Sequence, residues 1–247
     1  ACGARRVQHG DDRWLRQMCI CASNLTRAAV AEGTDLSSTA VTASKVDISS
    51  GEVGAQVVLT DMATYGADSP ANAMGTILGS AIATKMDVDL IALFTGLSDS
   101  LGTAGAEITV ADLFKASAKL RANKVRGAIN AVIHPYQAYA LKANLTNTFA
   151  NPNGADLQNE AMRTGYVGTI AGINIYESAN IAIDGDGDAI GAVFAPEAFA
   201  IAIKRDFNLA PQRDESLRAW ELNATAVYGV AELDDDYGVK VLADAVV

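Results

Sequence analysis

Apolar positions recur along the chain in two different periods, and the change from one to the other marks the expected elements. Val41, Ala43, Lys45 and Asp47 alternate with Thr42, Ser44, Val46 and Ile48. A two-residue period with β-branched side chains and no proline predicts exposed strand. Gly51 and Gly54 punctuate it, and Ala55 to Leu59 continues as strand. The stretch from Ala28 to Leu59 is therefore expected as a hairpin, one with too few large side chains to fold alone. It needs a partner surface.

At Pro70 the period lengthens. Asp68 or Ser69 supplies a capping oxygen, and a proline in the first turn loses no hydrogen bond. Leu78, Ile82, Met86, Leu90 and Leu93 then fall at steps of three and four, one stripe of a helix running to Phe94, with Gly96 ending it. Its roughly 25 residues span about 38 Å, twice the usual length. Gly75 and Gly79 make G-x-x-x-G, but Lys85, Asp87 and Asp89 on the same helix argue for close packing against a strand rather than a membrane contact.

Beyond Gly96 the pattern alternates between the two periods. Thr109 caps a helix over Val110–Ala122 with Asp112 in its first turn, and Ala128–Ile133 is a buried strand closed by His134 and Pro135. Tyr136–Asn144 reads as helix and Asn147–Thr164 as a long polar loop. Tyr166–Ile175 carries strands with a turn at Gly172, and Ile181–Ile183 leads into the acidic turn Asp184–Asp188. Ala189–Ile203 is strand, turn at Pro196, strand. Leu217–Glu232 is strand-like, Asp234–Asp236 a turn, and Val239–Leu242 the last strand. The fold class is α+β, without a repeat.

Composition alters this picture at one place. Ala1–Arg27 hold all three cysteines and five of the eleven arginines, and with Asp11 and Asp12 they net +3, which leaves −13 on the other 220 residues. Two origins are open: a basic arm that crosses a neighbouring subunit, or a stretch read in the wrong frame. The chain begins with Ala1 rather than Met, as a processed or partial sequence would, and no secretory leader is expected. Apolar runs near Ala73–Thr84 and Gly127–Leu141 fall short of the roughly 20 residues a bilayer requires, so no membrane span is expected. The formal charge of −10 argues against a nucleic-acid grip, which needs a basic face.

Catalytic chemistry finds little support. Cys19 and Cys21 form C-x-C without a second pair, and with Cys2 and His9 they fall short of a zinc site. His134, before Pro135, is expected in a hydrogen-bonded structural role, and no G-x-S-x-G is present. Asp184, Asp186 and Asp188 have the spacing of a calcium loop, yet Ala189 and Ala195 stand where its glycine and glutamate belong, so a solvated acidic turn is expected. Gly185, Gly187 and Gly191 miss the dinucleotide spacing. Asp87 and Asp89 lie about 200° apart around one helix and are expected as surface charges. No catalytic, cofactor-binding or metal residues are assigned, and no cofactor is expected.

The ordered set Ala28-Ala29-Val30-Ala31-Glu32-Gly33-Thr34, Val57-Val58-Leu59-Thr60-Asp61, Asp89-Leu90-Ile91-Ala92, Thr95-Gly96-Leu97, Ala131-Val132-Ile133-His134-Pro135 and Gly165 through Tyr176 resembles the major capsid proteins of tailed bacteriophages, whose fold encapsulin shells share. The resemblance implies an N-terminal arm (1–27), an extended β-hairpin loop (28–60), a peripheral domain with a long spine helix (61–108), an axial α/β domain (109–188) and a C-terminal return to the axial and peripheral sheet (189–247). The arm and the first strand of the extended loop should precede Ala28, where residues 1–27 show no strand pattern.

By the same resemblance, the chain is expected to self-assemble as pentamers and hexamers into an icosahedral head that encloses double-stranded DNA without specific binding. It would have no enzymatic activity and no membrane contact. Scaffold, portal and a cement or decoration protein are its possible partners, the virion its location, and the host cytoplasm its place of assembly. Some members of that family join an extended-loop lysine to an asparagine of a neighbour; Lys45 lies in the right region, but no acidic catalyst or asparagine motif accompanies it, and a solvated lysine guarding a strand edge is expected. Two other readings are an encapsulin-type compartment around a cargo enzyme and a soluble enzyme with a divalent ion at Asp184–Asp188.

Overall fold

The computed structural model describes residues 5–6, 14–19, 32, 44–66, 70–148 and 169–246. Three sheets and one long helix organise these residues. The first sheet joins β1 (Arg5–Arg6), β2 (Trp14–Cys19) and β3 (Ser44–Ser49) in that order. A second is ordered β10 (Phe199–Asp214), β11 (Ala219–Glu232) and β4 (Gly51–Thr60), antiparallel throughout. The third has six strands: β5 (Ser100–Gly102), β12 (Gly238–Asp244), β9 (Asp188–Phe194), β6 (Ile129–Ile133), β8 (Ile173–Glu177) and β7 (Thr169–Ile170). The α+β class is as expected.

The hairpin expectation is corrected. Ser44–Ser49 and Gly51–Thr60 are both strands, but they pair in different sheets: β3 lies antiparallel to β2, with Trp14 opposite Ser49 and Cys19 opposite Ser44, and β4 lies antiparallel to β11. A strand therefore does precede Ala28, in the segment where no strand pattern was expected. Six residues with their apolar and polar side chains in adjacent pairs carry no two-residue period that would reveal a strand whose pairing partner lies 25 to 35 residues away. Residues 20–31 and 33–43 and most of the polar stretch Asn147–Thr164 lie outside the described residues, as do Cys2 and His9.

After α1 (Asp61–Gly66), the long helix forms as α2 (Pro70–Ala92) and tightens into a 3-10 turn over Leu93–Gly96. The helix serves two cores, and the expected stripe holds only for the first: Leu90 and Leu93 are half-buried, and Ile91 and Phe94 take their place. Leu78 and Ile82 are buried with Leu222, Ala224, Ala226 and Tyr228 of β11 and against Val53, Ala55 and Val57 of β4, which are the alternate, apolar positions of that strand. Ile91, Phe94 and Leu97 pack beneath the six-stranded sheet against Ala189 and Ala192. There Phe94, Phe194 and Phe199 form a tilted trio with ring centroids 5.1 to 5.7 Å apart. No described helix is long and apolar enough to cross a membrane.

The opposite face of the large sheet is covered by α3 (Val110–Ala122) and α4 (Pro135–Thr148). Leu113, Ala116, Leu120, Ala138 and Leu141 close over Ile129, Ala131, Ile133, Ile173, Ile175, Val193, Val239 and Val241. Helix α3 starts where expected, with Thr109 accepting from the Asp112 amide and the Asp112 carboxylate accepting from the Thr109 amide, a reciprocal cap. The turn at Gly172 between β7 and β8 also forms, with Ala171 and Gly172 both at positive φ. Strand β10 extends to Asp214, well past the expected end at Ile203. Pro211 fits there because β10 is an edge strand among the described residues, where a missing N–H breaks no ladder.

Candidate assembly interface

The ribbon of β2 and β3 leaves the body at one defined point. Ile48 is 1% exposed, and Gly229 of β11 passes so close beneath it that a Cβ on Gly229 would stand 2.2 Å from the Ser49 carbonyl oxygen. Only a residue without a side chain allows that approach. Two residues after Ser49, Gly51 pairs with Tyr228 and the chain enters the second sheet. The root is thus packed tightly, while Lys45 farther out is more than half exposed and pairs with Asp47 of its own strand at 3.0 Å. Lys45 behaves as the solvated strand lysine expected.

The second sheet presents a further exposed element. Strand β10 pairs on one side only among the described residues, and its Ile201, Ile203, Phe207 and Leu209 are 37 to 49% exposed. Leu209 and Phe207 reach Gly75 and Gly79 of α2. The G-x-x-x-G pair therefore does face a strand, through that strand's side chains. Bulges around Arg205 interrupt the edge, and Arg205 donates to Glu52 and to Thr225, each at 2.7 Å. At the distal end Arg213 makes two bonds to Asp61, at 2.6 and 2.9 Å, with its guanidinium 5.5 Å from the Trp220 ring centroid. That clip holds α1, whose Met62 and Tyr65 are both more than 80% exposed.

Residues weighed for chemistry are occupied by structure. Nδ1 of buried His134 accepts from the Tyr136 amide at 3.2 Å, and burial pushes its pKa down, which keeps the ring neutral. This is the structural role expected. Asp184 and Asp186 are exposed, and the Asp184 carboxylate accepts from the amides of Asp186 and Asp188. Asp188 departs from the solvated turn expected there: it is 4% exposed and accepts from the Gly105 amide at 2.8 Å. No group of three or more His, Cys, Asp or Glu able to hold a metal occurs among the described residues.

Asp87 and Asp89 are corrected from surface charges to fasteners. Asp87 accepts from Asn180 at 2.6 Å and Ser178 at 3.1 Å, which ties α2 to the end of β8. Asp89 accepts from the Tyr228 hydroxyl at 2.6 Å and pairs with Lys85, which ties the same helix to β11. Their separation around the helix, the reason they fail as a catalytic pair, lets one helix hold two sheets. Sequence reasoning missed Gln137 altogether. It is fully buried, accepts from the His134 amide, and donates to the carbonyls of Ala189 and Ala243 at 2.8 and 2.9 Å. A lone glutamine two residues after a proline carries no sequence signal for that role.

No protein-family model matches the sequence, and no curated protein does. Solved structures do. A capsid structure of the cyanophage P-SCSP1u aligns with TM-score 0.74 and 16% identity over 98% of this chain and 86% of that chain. A Mycobacterium phage Che8 structure aligns with TM-score 0.71 and 18% identity over 97% and 92%. The holo-SrpI encapsulin complex of Synechococcus elongatus PCC 7942 gives TM-score 0.62 and 11% identity over 84% and 79%. The chain shares its fold with these structures, and the mixed α+β architecture expected from the resemblance is the one observed.

Proposed function

We propose that this chain is the major capsid protein of a tailed bacteriophage, assembling as pentamers and hexamers into an icosahedral head around double-stranded DNA. The observation that carries the reading is the end-to-end likeness to solved phage structures, over 98% of this chain for the cyanophage capsid and 97% for the Che8 structure. The physical features agree with it. A ribbon that leaves the body, the exposed apolar residues of β10 and the exposed Met62 and Tyr65 are surfaces that become stable when they meet copies of the same chain. A typical stable interface buries about 1,600 Å², and a closed shell multiplies such contacts until one subunit leaves only by breaking all of them.

In this reading the β2–β3 ribbon is the extended loop, so that loop begins before Ala28 and takes in the second half of the basic segment. The sheet of β4, β10 and β11 with α2 is the peripheral domain, and the six-stranded sheet with α3 and α4 is the axial one. The −13 carried by residues 28–247 suits a container, because a lining of like charge avoids trapping the genome through phosphate contacts. This reading assigns the chain a structural role without catalysis, and the described polar groups named above, which close caps, crossings and strand ends, support the structural part of it. Scaffold, portal and cement proteins are the partners such a shell recruits, with the virion as its location and the host cytoplasm as its place of assembly.

The test is electron microscopy of the purified full chain, alone and in particles, combined with sedimentation and nuclease protection. Closed shells with protected DNA are expected. A subunit that remains monomeric at high concentration overturns the reading, and DNA-free shells holding an enzyme replace it with the encapsulin alternative.

A further inference from the structure

The edge strand β10 is chemically symmetric about Arg205. Around that residue it runs Ile201-Ala202-Ile203-Lys204-Arg205-Asp206-Phe207-Asn208-Leu209. Ile203 and Phe207 stand two steps to either side, Ile201 and Leu209 four steps, and a lysine and an aspartate flank it directly. The shifts in register with β11 fall between Ile203 and Arg205 and between Arg205 and Asn208, so the irregularity of the edge is centred on the same residue.

The four large apolar side chains also share a face. Ile201, Ile203 and Leu209 lie opposite Val230, Tyr228 and Ala224, which pack toward α2, and Phe207 reaches Gly79 of that helix. They are nevertheless 37 to 49% exposed, and every residue from Ile203 to Gln212 is exposed. Lys204 and Asp206 form no ion pair among the described residues, and Asp206 accepts from the Phe207 amide at 2.7 Å.

We propose that the β10 edge is a two-fold contact for a second copy of this chain: two β10 strands run antiparallel with Arg205 on the axis, and Lys204 of each copy meets Asp206 of the other. This register sets Ile203 opposite Phe207 and Ile201 opposite Leu209, twice each, with Ala200 opposite Ala210. Opposed residues of an antiparallel pair point to one face. These do, because all four apolar residues lie on the α2 side. The result is one sheet of order β4-β11-β10-β10-β11-β4, isologous about its centre.

Neighbouring registers fail. An axis at Lys204 or Asp206 sets that charge against itself and puts Arg205 opposite Ile203 or Phe207, and an axis between residues opposes side chains from different faces. Arg205 meets its own copy on the axis. Its guanidinium is turned back over its own sheet, where it donates to Glu52 and Thr225 at 2.7 Å, and Glu52 balances its charge. Edge charges ordinarily prevent pairing. Charges of one sign repel any copy, whereas one of each sign, placed symmetrically, rejects the slipped registers and accepts this one. The contact rests on the capsid reading only for its place in the shell, a two-fold axis between rings of subunits.

The experiment mixes equal amounts of unlabelled and heavy-nitrogen-labelled full chain, lets them associate, and adds a carbodiimide, which condenses a lysine amine with a carboxylate it touches. Mass spectrometry should find Lys204 of a light chain joined to Asp206 of a heavy one. In parallel, Lys204→Asp and Asp206→Lys should each weaken association roughly tenfold by sedimentation, since attraction at two pairs becomes repulsion. Lys204→Asp combined with Asp206→Lys should restore it, which happens only where these two positions meet across copies. Closed shells without the mixed link, or a double variant no better than the single ones, overturn the pairing and leave the capsid reading standing. A chain that stays monomeric overturns both. Linked dimers that never close into shells uphold the pairing and count against the capsid reading.

Discussion

The Tyr228 hydroxyl donates to Asp89 over 2.6 Å, joining the middle of β11 to the last turns of α2. Both groups are shifted by the contact. Burial, then the hydrogen bond and charge of Asp89, raises Tyr228 to about 12. Burial opposes ionisation of Asp89, but the bonds from Lys85 and Tyr228 outweigh it and hold its pKa low. Asp89 thus stabilises the fold above the ordinary carboxylate range and loses that contribution as pH falls through its lowered value. Tyr228 contributes below the ordinary phenol value and loses it as pH rises toward about 12.

Tyr228→Phe is therefore expected to cost about 1–2 kcal/mol near neutral pH. Thermal unfolding of the full chain at pH 7 and above pH 10 measures it. The difference from wild type should shrink at the alkaline end, and a difference independent of pH would contradict the assignment.

Gln137→Leu keeps the side-chain volume and removes a donor that two buried carbonyls share. Leaving buried acceptors unsatisfied costs about 1–3 kcal/mol each, so the substitution should unfold the six-stranded sheet early. Urea denaturation should show a lower midpoint with an unchanged slope.

Gly229→Ala would force a methyl group against the Ser49 carbonyl at the root of the ribbon. Gly229 is held opposite Ala202 of β10, so relief is expected to come from a shift of the ribbon. Overpacking of this kind costs on the order of 1–3 kcal/mol. Electron microscopy is expected to show irregular or open assemblies from a subunit whose circular dichroism is unchanged. Regular closed shells would show that the root angle is unimportant.

Thr109→Ala removes one half of the reciprocal cap on α3. A loss of about 1 kcal/mol is expected. Thr109→Ser should restore most of it, and equal melting temperatures for the alanine and serine variants would refute the cap's contribution.

Much of the secondary structure was legible in residue order. The first half of the stripe, Leu78 and Ile82, the Thr109–Asp112 cap, the turn at Gly172 and the short strand before His134 are local patterns that formed where they stood, whereas past Met86 the buried positions are Ile91 and Phe94 rather than Leu90 and Leu93. The failures share a cause. Trp14–Cys19 and Ser44–Ser49 are too short to announce their pairing, and Asp214 ends a strand whose exposed edge lets proline and charge run through it. Asp87, Asp89, Asp188 and Gln137 are polar residues that sequence treats as surface or leaves unremarked.

Period, capping residues and turn residues act within a few positions of one another, so the linear chain alone determined its helices, most of its strands and its mixed class. Which strands pair, which carboxylates are buried, and how one helix holds two sheets depend on groups 50 to 150 residues apart. Only the folded arrangement brings such groups within hydrogen-bonding distance, and only there does the cost of burying a polar atom select its partner.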